Sequence, residues 1–264
     1  MIRHYFGLKQ NPFHMDELEL LAHQQAIFDT IEVHNQQGGM CLVLGESGTG
    51  KSVIKEAIVQ AASKRTLVSV IGRTLHSYIH TIKILCEAFK VDFEGSDFKC
   101  EKRLIDEAQN LNQQGKSLVT IIDDAHLLDM QSIRKLRLLF AEFPKNHNLI
   151  LMAQVDLLQK MLLRVNQDIH SRVTFSVIIQ PLNPDQVQNF ILAQLDRVGL
   201  AHNTFCDDAL HLIMRSSDGI LRKIRNLCIS VLLEAVRERK KQVSLEMVNR
   251  VLLQPHWRSD YDLE

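Results

Sequence analysis

A chain of 264 residues, 45% hydrophobic and 23% charged, is ordinary for a soluble globular protein and long enough for one large domain or two unequal ones. Lys plus Arg equals Asp plus Glu at 31 each, so zero net charge argues against a chain-wide electrostatic grip on nucleic acid. No apolar run nears the roughly 18 residues that span a bilayer, and the N-terminus lacks a signal-peptide core. The five scattered cysteines (Cys41, Cys86, Cys100, Cys206, Cys228) exclude a disulfide framework or zinc site; reduced thiols, a cytoplasmic location and no membrane partner are expected.

The first forty residues carry Phe6-Gly7-Leu8 and Asn11-Pro12-Phe13, then a helical stretch around Leu20–Val33 that ends before Gly38-Gly39. Met40–Leu44 is a short apolar run that predicts a buried strand, and Val53–Ala62 predicts a helix with Val53, Ala57 and Ile58 on one face. Between them lies Gly45-Glu46-Ser47-Gly48-Thr49-Gly50-Lys51-Ser52, which fits the phosphate-loop pattern G-x-x-x-x-G-K-[ST]. Glycines let such a backbone curl until successive N–H groups point at phosphate oxygens, and the following helix adds its dipole. Lys51 would reach the β- and γ-phosphates, and the Ser52 hydroxyl would ligate Mg²⁺. A glycine-rich strand–helix turn that binds nothing is the competing reading.

Thr66–Ile71 predicts a second strand ended by Gly72, and Ile79–Phe89 has helical spacing through Ile79, Ile82, Leu85, Cys86 and Phe89. Leu104–Leu111 continues helically to Gly115. Leu118–Ile122 is a third strand running straight into Asp123-Asp124, the Walker B pattern. Asp123 would hold Mg²⁺ through its water shell, and Asp124 would orient or deprotonate the attacking water; a strand ending in an exposed acidic turn is the alternative. Asn148–Ala153 and Arg172–Ile179 supply strands four and five. Strands separated by helices imply an α/β fold, a parallel five-stranded sheet sandwiched by helices, over residues 1–182. After Asn183-Pro184 the pattern becomes all-helical (Asp185–Val198, Asp207–Ser216, Leu221–Arg239, Ser244–Leu253), with Asn183 and Asp207 as caps. Residues 183–253 therefore form a helical subdomain, and 254–264 a tail with the one tryptophan, Trp257, and three acids. That tail fits either a docking peptide or a segment folded back on the helices.

These motifs, in order, resemble the AAA+ ATPases of the ExeA type, first known from general secretion, and the related ATPase regulators of DNA transposition. The resemblance runs through Tyr5-Phe6-Gly7-Leu8, Asn11-Pro12-Phe13, the phosphate loop, Asp123-Asp124-Ala125-His126-Leu127-Leu128, Leu151–Leu157, Ser171-Arg172-Val173, Pro181-Leu182 and Gly219–Asn226. It implies an AAA+ domain whose residues 1–182 include an N-terminal adenine-side segment, a helical lid, ATP with Mg²⁺, and probe residues for the γ-phosphate. Gln154 looks like the sensor-1 residue, Arg222 like sensor 2, and Arg172 like an arginine finger reaching a neighbouring subunit, with Arg164 as its rival. Two departures stand out. Asp124 replaces the usual Glu, shortening the base by one methylene and implying slow hydrolysis, and Leu221 stands where proline is common.

Secretion members carry a transmembrane segment and a peptidoglycan-binding region after the ATPase, and neither precedes Glu264. The expectation is therefore an ATPase that assembles with ATP into a ring or helical filament on non-specific double-stranded DNA, selects transposition target sites and recruits a transposase or adaptor. Contacts to the DNA backbone are expected from Arg73 and Thr74 after the second strand, and from Arg134, Lys135 and Arg137 after Walker B. The alternatives are an ExeA-like cytoplasmic ATPase powering assembly of an envelope complex through protein partners and, further off, a nucleotide kinase with a helical lid.

Overall fold

The computed structural model describes residues 1–14, 18–72 and 77–257. Its elements in chain order are α1 (Ile2–Phe6), α2 (Ala22–Gln37), β1 (Gly39–Gly45), α3 (Lys51–Ala61), β2 (Thr66–Ile71), α4 (Tyr78–Ala88) and α5 (Asp97–Gln113). There follow β3 (Ser117–Ile122), α6 (Met130–Ala141), β4 (Asn148–Ala153), α7 (Asp156–Leu162), α8 (Gln167–His170) and β5 (Val173–Ile179). The chain closes with α9 (Pro184–Val198), α10 (Asp207–Ser216), α11 (Leu221–Arg237) and α12 (Leu245–Leu252). It divides into two compact units, Leu18–Ile179 and Met1–Glu17 with Gln180–Glu264. The N-terminal segment thus clusters with the helices of the second unit, where an unbroken stretch over 1–182 was expected.

In the larger unit the five strands form one parallel sheet in the order β2-β3-β4-β1-β5. Successive side chains of a strand point to opposite faces, so β1 splits its apolar run between two layers. Met40, Leu42 and Leu44 join the core under α4 to α8, whereas Cys41 and Val43 pack with Ile27 and Ile31 of α2 and Ile54 and Ile58 of α3. Both faces are covered, which is why β1, β3 and β4 read as continuous apolar runs rather than alternating ones. Each fully buried aliphatic side chain there contributes about 1.5–3 kcal/mol. The edge strand β5 alternates, with Thr174, Ser176 and Ile178 exposed. Two expected inward residues turn out differently: Ile54 rather than Val53 anchors α3, and Ile79 is 46% exposed while Tyr78 is buried. The rest of each expected face holds, with Ala57 and Ile58 of α3 and Ile82, Leu85, Cys86 and Phe89 at α4 buried.

The amino-terminal end of the sheet is closed by polar groups that satisfy one another. Asn148 Nδ2 donates to Asn35 Oδ1 at 2.6 Å, and the Cys41 thiol donates to Asn148 Oδ1 at 3.4 Å, tying α2 to β4 and β1. Gly38 turns between α2 and β1 at φ 78°, where an added Cβ would lie 2.1 Å from the Lys145 carbonyl oxygen. His147 is buried, stacked on Phe140 with ring centroids 4.8 Å apart, and its Nε2 lies 2.9 Å from Thr120 Oγ1. Burial pushes its pKa down from 6.5 to about 3, because the imidazolium would lose its hydration there. The folded state holds His147 neutral while the unfolded chain protonates it, so below pH 6.5 the unfolded state binds the extra proton. Stability is expected to be fully present above pH 6.5 and to fall toward pH 3 with a slope contribution of up to about 1.4 kcal/mol per pH unit. Urea melts across that range should show the slope, and His147→Gln should remove it.

The smaller unit is helical, with one isolated parallel bridge between Phe205 and Val243. α9 begins with a reciprocal cap: Asn183 Oδ1 accepts from the Gln186 N–H at 2.9 Å, and Gln186 Oε1 accepts from the Asn183 N–H at 3.0 Å. Asp207 does not cap α10; it is the first helical residue, behind Cys206 at the cap position. α11 buries Ile224, Leu227, Cys228, Val231, Leu232 and Ala235 along one stripe. The N-terminal segment packs on this unit through Arg225 Nε, which donates to the Phe13 carbonyl at 3.0 Å, and through Lys241, whose ammonium lies 4.1 Å above the Tyr5 ring. Phe13 is fully buried. Among the described residues no helix is long and apolar enough to cross a membrane. Of the tail, Pro255–Trp257 forms a single turn, and residues 258–264 lie outside the described residues.

Candidate nucleotide-binding site

Three loops leave the carboxyl ends of the adjacent strands β3, β4 and β1, and they carry most of the expected site. The register sets their spacing. Leu44 pairs with Ala153 and Ile122 with Leu151, so Gly45, Gln154 and Asp123 emerge along one edge of the sheet, with roughly 10 Å between the outer two strands. β1 connects onward past β4 to β2, whereas β4 connects to β5 on the far side of β1. Such a reversal opens a crevice at the strands' carboxyl ends, the usual ligand position in open α/β sheets.

The loop after β1 is built to curl. Gly48 and Gly50 adopt φ 91° and 108°, a region that L side chains rarely occupy. Thr49 Oγ1 donates to the Glu46 carbonyl at 2.9 Å, and a Cβ on Gly45 would meet that same Oγ1 at 2.7 Å. Lys51 opens α3 and is buried, its Nζ donating to the carbonyls of Gly45 at 2.7 Å and Glu46 at 2.9 Å. The loop's carbonyls thus point inward at a cation. Ser47 and Glu46 are exposed, and Ser52 is exposed in the first turn of α3, whose N-terminus concentrates backbone donors.

Asp123 follows β3 directly, and both of its carboxylate oxygens are engaged. Oδ2 lies 2.6 Å from Lys55 Nζ, and Oδ1 accepts the Asp124 N–H at 3.0 Å. Asp124 is exposed and sits in the left-handed region at φ 50°, ψ 37°, a conformation tolerated better by Asp than by longer side chains. The turn Ala125–Leu127 returns His126 toward β4, where its Nδ1 accepts the Gln154 N–H at 3.4 Å. Gln154 itself is exposed at the strand's end. Lys55 and His126 were not singled out from the sequence as site residues. The signal for Lys55 was its place one helical turn beyond Lys51.

Arg172 sits elsewhere. It precedes β5, and Met40 pairs with Val173 while Gly45 pairs with Ile179. An exposed Arg172 therefore stands at the amino-terminal end of the sheet, about 20 Å along the strand from the level of its own phosphate loop. Arg164 is exposed in the turn between α7 and α8. Arg222 is exposed at the second position of α11, in the helical unit.

The expected DNA contacts are placed unevenly. Arg73 and Thr74 lie outside the described residues. Arg134 is committed within the protein: Nε and Nη2 hold Asp168 at 2.9 and 3.1 Å, and Nη2 also reaches the Val165 carbonyl and Asn166 Oδ1, each at 3.0 Å. Arg137 Nη2 lies 3.7 Å from the same carboxylate. The Arg134 hydrogen bonds hold the Asp168 carboxyl below the usual carboxylate range. Both arginines fasten α6 to α8, while Lys135 is exposed with its ammonium 5.2 Å above the Tyr78 ring.

With this geometry in view, residues 33–162 match the family described as AAA domain. The chain has the P-loop fold of the AAA+ ATPases, a parallel sheet between helices followed by a helical region. Among curated proteins it is 25% identical over 249 residues to general secretion pathway protein A of Aeromonas hydrophila, covering 89% of this chain and 45% of that protein. The chain therefore spans about half the length of that relative. Among solved structures, Cdc6p from Pyrobaculum aerophilum superposes with a TM-score of 0.72 at 15% identity, covering 95% of this chain and 72% of that one. The Aeropyrum pernix ORC1 protein in complex with DNA gives 0.67 at 17% identity, covering 90% and 67%. At these identities the likeness is one of fold.

Proposed function

We propose that this protein is an ATPase that assembles with copies of itself on duplex DNA when ATP is bound, hydrolyses ATP slowly, and regulates DNA transposition by marking target sites and recruiting a transposase or adaptor. The observation that carries the assembly reading is the position of Arg172: exposed, and a whole strand length from its own phosphate loop. An arginine there serves a nucleotide only on a neighbouring copy. The residues present suit a Mg²⁺–triphosphate. The loop curls around a buried ammonium at Lys51, and a second ammonium, Lys55, already stands in for a cation on Asp123.

ATP bound there would supply the phosphoanhydride bond to be cleaved, with Mg²⁺ offsetting its charge. Gly45 to Ser52 would wrap the phosphates with backbone N–H groups, Lys51 would leave its two carbonyls for phosphate oxygens, and Ser52 and Asp123 would hold the metal. Asp124 would take the proton of the attacking water, Gln154 would orient that water, and Arg222 would serve as the sensor-2 residue. His126, bonded to the Gln154 backbone, would steady the sensor's strand end. The DNA part of the reading draws on the resemblance to transposition regulators and on the fold shared with ORC1, a protein solved on DNA. Lys135 carries it on α6, with Arg73 and Thr74; Arg134 and Arg137 would act mainly by holding that helix in place. A second reading, an ATPase driving a secretion complex through protein partners, has the relative from Aeromonas in its favour.

Gel-shift titration on random-sequence duplex DNA separates the two. The expected result is binding with ATP or a non-hydrolysable analogue, weak binding with ADP, no sequence preference, and a steep loss of affinity with salt. No binding at low salt with any nucleotide removes DNA and leaves the secretion reading standing.

A further inference from the structure

One ion pair at the site joins the Walker B residue Asp123 to a lysine that belongs to neither sequence motif. Lys55 lies one turn after Lys51 on α3, and its Nζ reaches across to Asp123 Oδ2 at 2.6 Å, joining residues 68 positions apart. The pair is largely shielded from water, with side-chain exposures of 21% for Lys55 and 13% for Asp123. The other Asp123 oxygen is already taken by the Asp124 N–H. The carboxylate assigned to Mg²⁺ is therefore occupied by a cation that the protein itself carries on a flexible stem.

We propose that Lys55 is a positioning residue that holds the Asp123 carboxylate in the metal-free site and competes with Mg²⁺ for it, setting the metal concentration at which nucleotide binds tightly. The inference rests on the nucleotide reading above. A lysine suits such a role better than an arginine. Its ammonium is a point charge on four rotatable carbons, and it can leave Asp123 for solvent without moving α3, whereas a guanidinium would grip both oxygens. When the metal arrives, the carboxylate is already aimed and the ammonium is displaced. A unit charge facing a divalent ion at roughly 5 Å, partly shielded from water, weakens the metal's hold on the order of tenfold or more.

The test titrates a fluorescent ATP analogue onto the full chain at increasing MgCl₂ and in EDTA. It compares wild type, Lys55→Met, Lys55→Gln and Lys55→Arg, with thermal melts confirming that each is folded. Both neutral variants should move the half-saturating Mg²⁺ concentration down by about tenfold, whereas Lys55→Arg should leave it in place or raise it. In an Asp123→Asn background, Lys55→Met should shift it by less than about threefold, since the contested carboxylate is gone. Nucleotide binding with an unmoved or raised Mg²⁺ midpoint in the neutral variants overturns the role of Lys55 alone. No binding by the wild type at any Mg²⁺ concentration overturns the phosphate-loop reading and this inference with it.

Discussion

Replacing Lys51 by alanine should lower ATP affinity by about a hundredfold or more and leave the protein unable to assemble with ATP. The ammonium is buried at the mouth of α3 and held by the carbonyls of Gly45 and Glu46, two residues whose amides line the same curl. A charged hydrogen bond contributes about 1.5–3 kcal/mol, and transfer of this donor from carbonyls to phosphate oxygens trades one pair of bonds for stronger ones. Alanine removes both pairs. It also strands two inward-facing carbonyls at about 1–3 kcal/mol each, so some loss of stability should accompany the loss of binding. Titration calorimetry gives the affinity and a thermal melt the stability. Wild-type affinity in a folded Lys51→Ala variant would remove the lysine from the site.

Asp124→Asn should separate binding from chemistry. Asp124 is exposed, its N–H donates to Asp123 Oδ1, and its backbone sits in the left-handed region. Asparagine keeps that shape and tolerates the same φ, but it cannot accept a proton from water. Loss of a positioned general base should slow hydrolysis by about a hundredfold to ten-thousandfold, while ATP affinity stays within about threefold and DNA-bound assemblies persist longer. Phosphate release under single-turnover conditions measures it. Hydrolysis at the wild-type rate would take Asp124 out of the base role.

The strands were legible because burial on both faces leaves β1, β3 and β4 mostly apolar, with Thr120 and Asn148 as buried polar exceptions, and the phosphate loop because its glycines must adopt φ angles that few residues allow. The Asn183 cap was readable for a similar local reason, being followed at the right distance by Gln186. What lay hidden is what depends on residues distant in sequence. Arg134 reads as a free surface charge until Asp168 is folded against it, 34 positions on. Lys55 reads as a solvated helix residue until β3 delivers Asp123 beside it. The N-terminal segment gives no local sign that Lys241 will settle over the Tyr5 ring or Arg225 on the Phe13 carbonyl. Only the first residue of each expected stripe, Val53 and Ile79, fell outside the core, where Ile54 and Tyr78 are buried instead; the later residues of both stripes were read correctly.

The proposed assembly requires a nucleotide shared between copies, with the loop of one and Arg172 of the next. Sedimentation velocity of the wild type at saturating ATP and Mg²⁺ tests this most directly. It should show a monomer with no nucleotide, a larger species with ATP, and a return toward monomer when Arg172→Ala is substituted. A wild-type particle that sediments as a monomer while saturated with ATP, or that assembles equally well with Arg172→Ala, would contradict it.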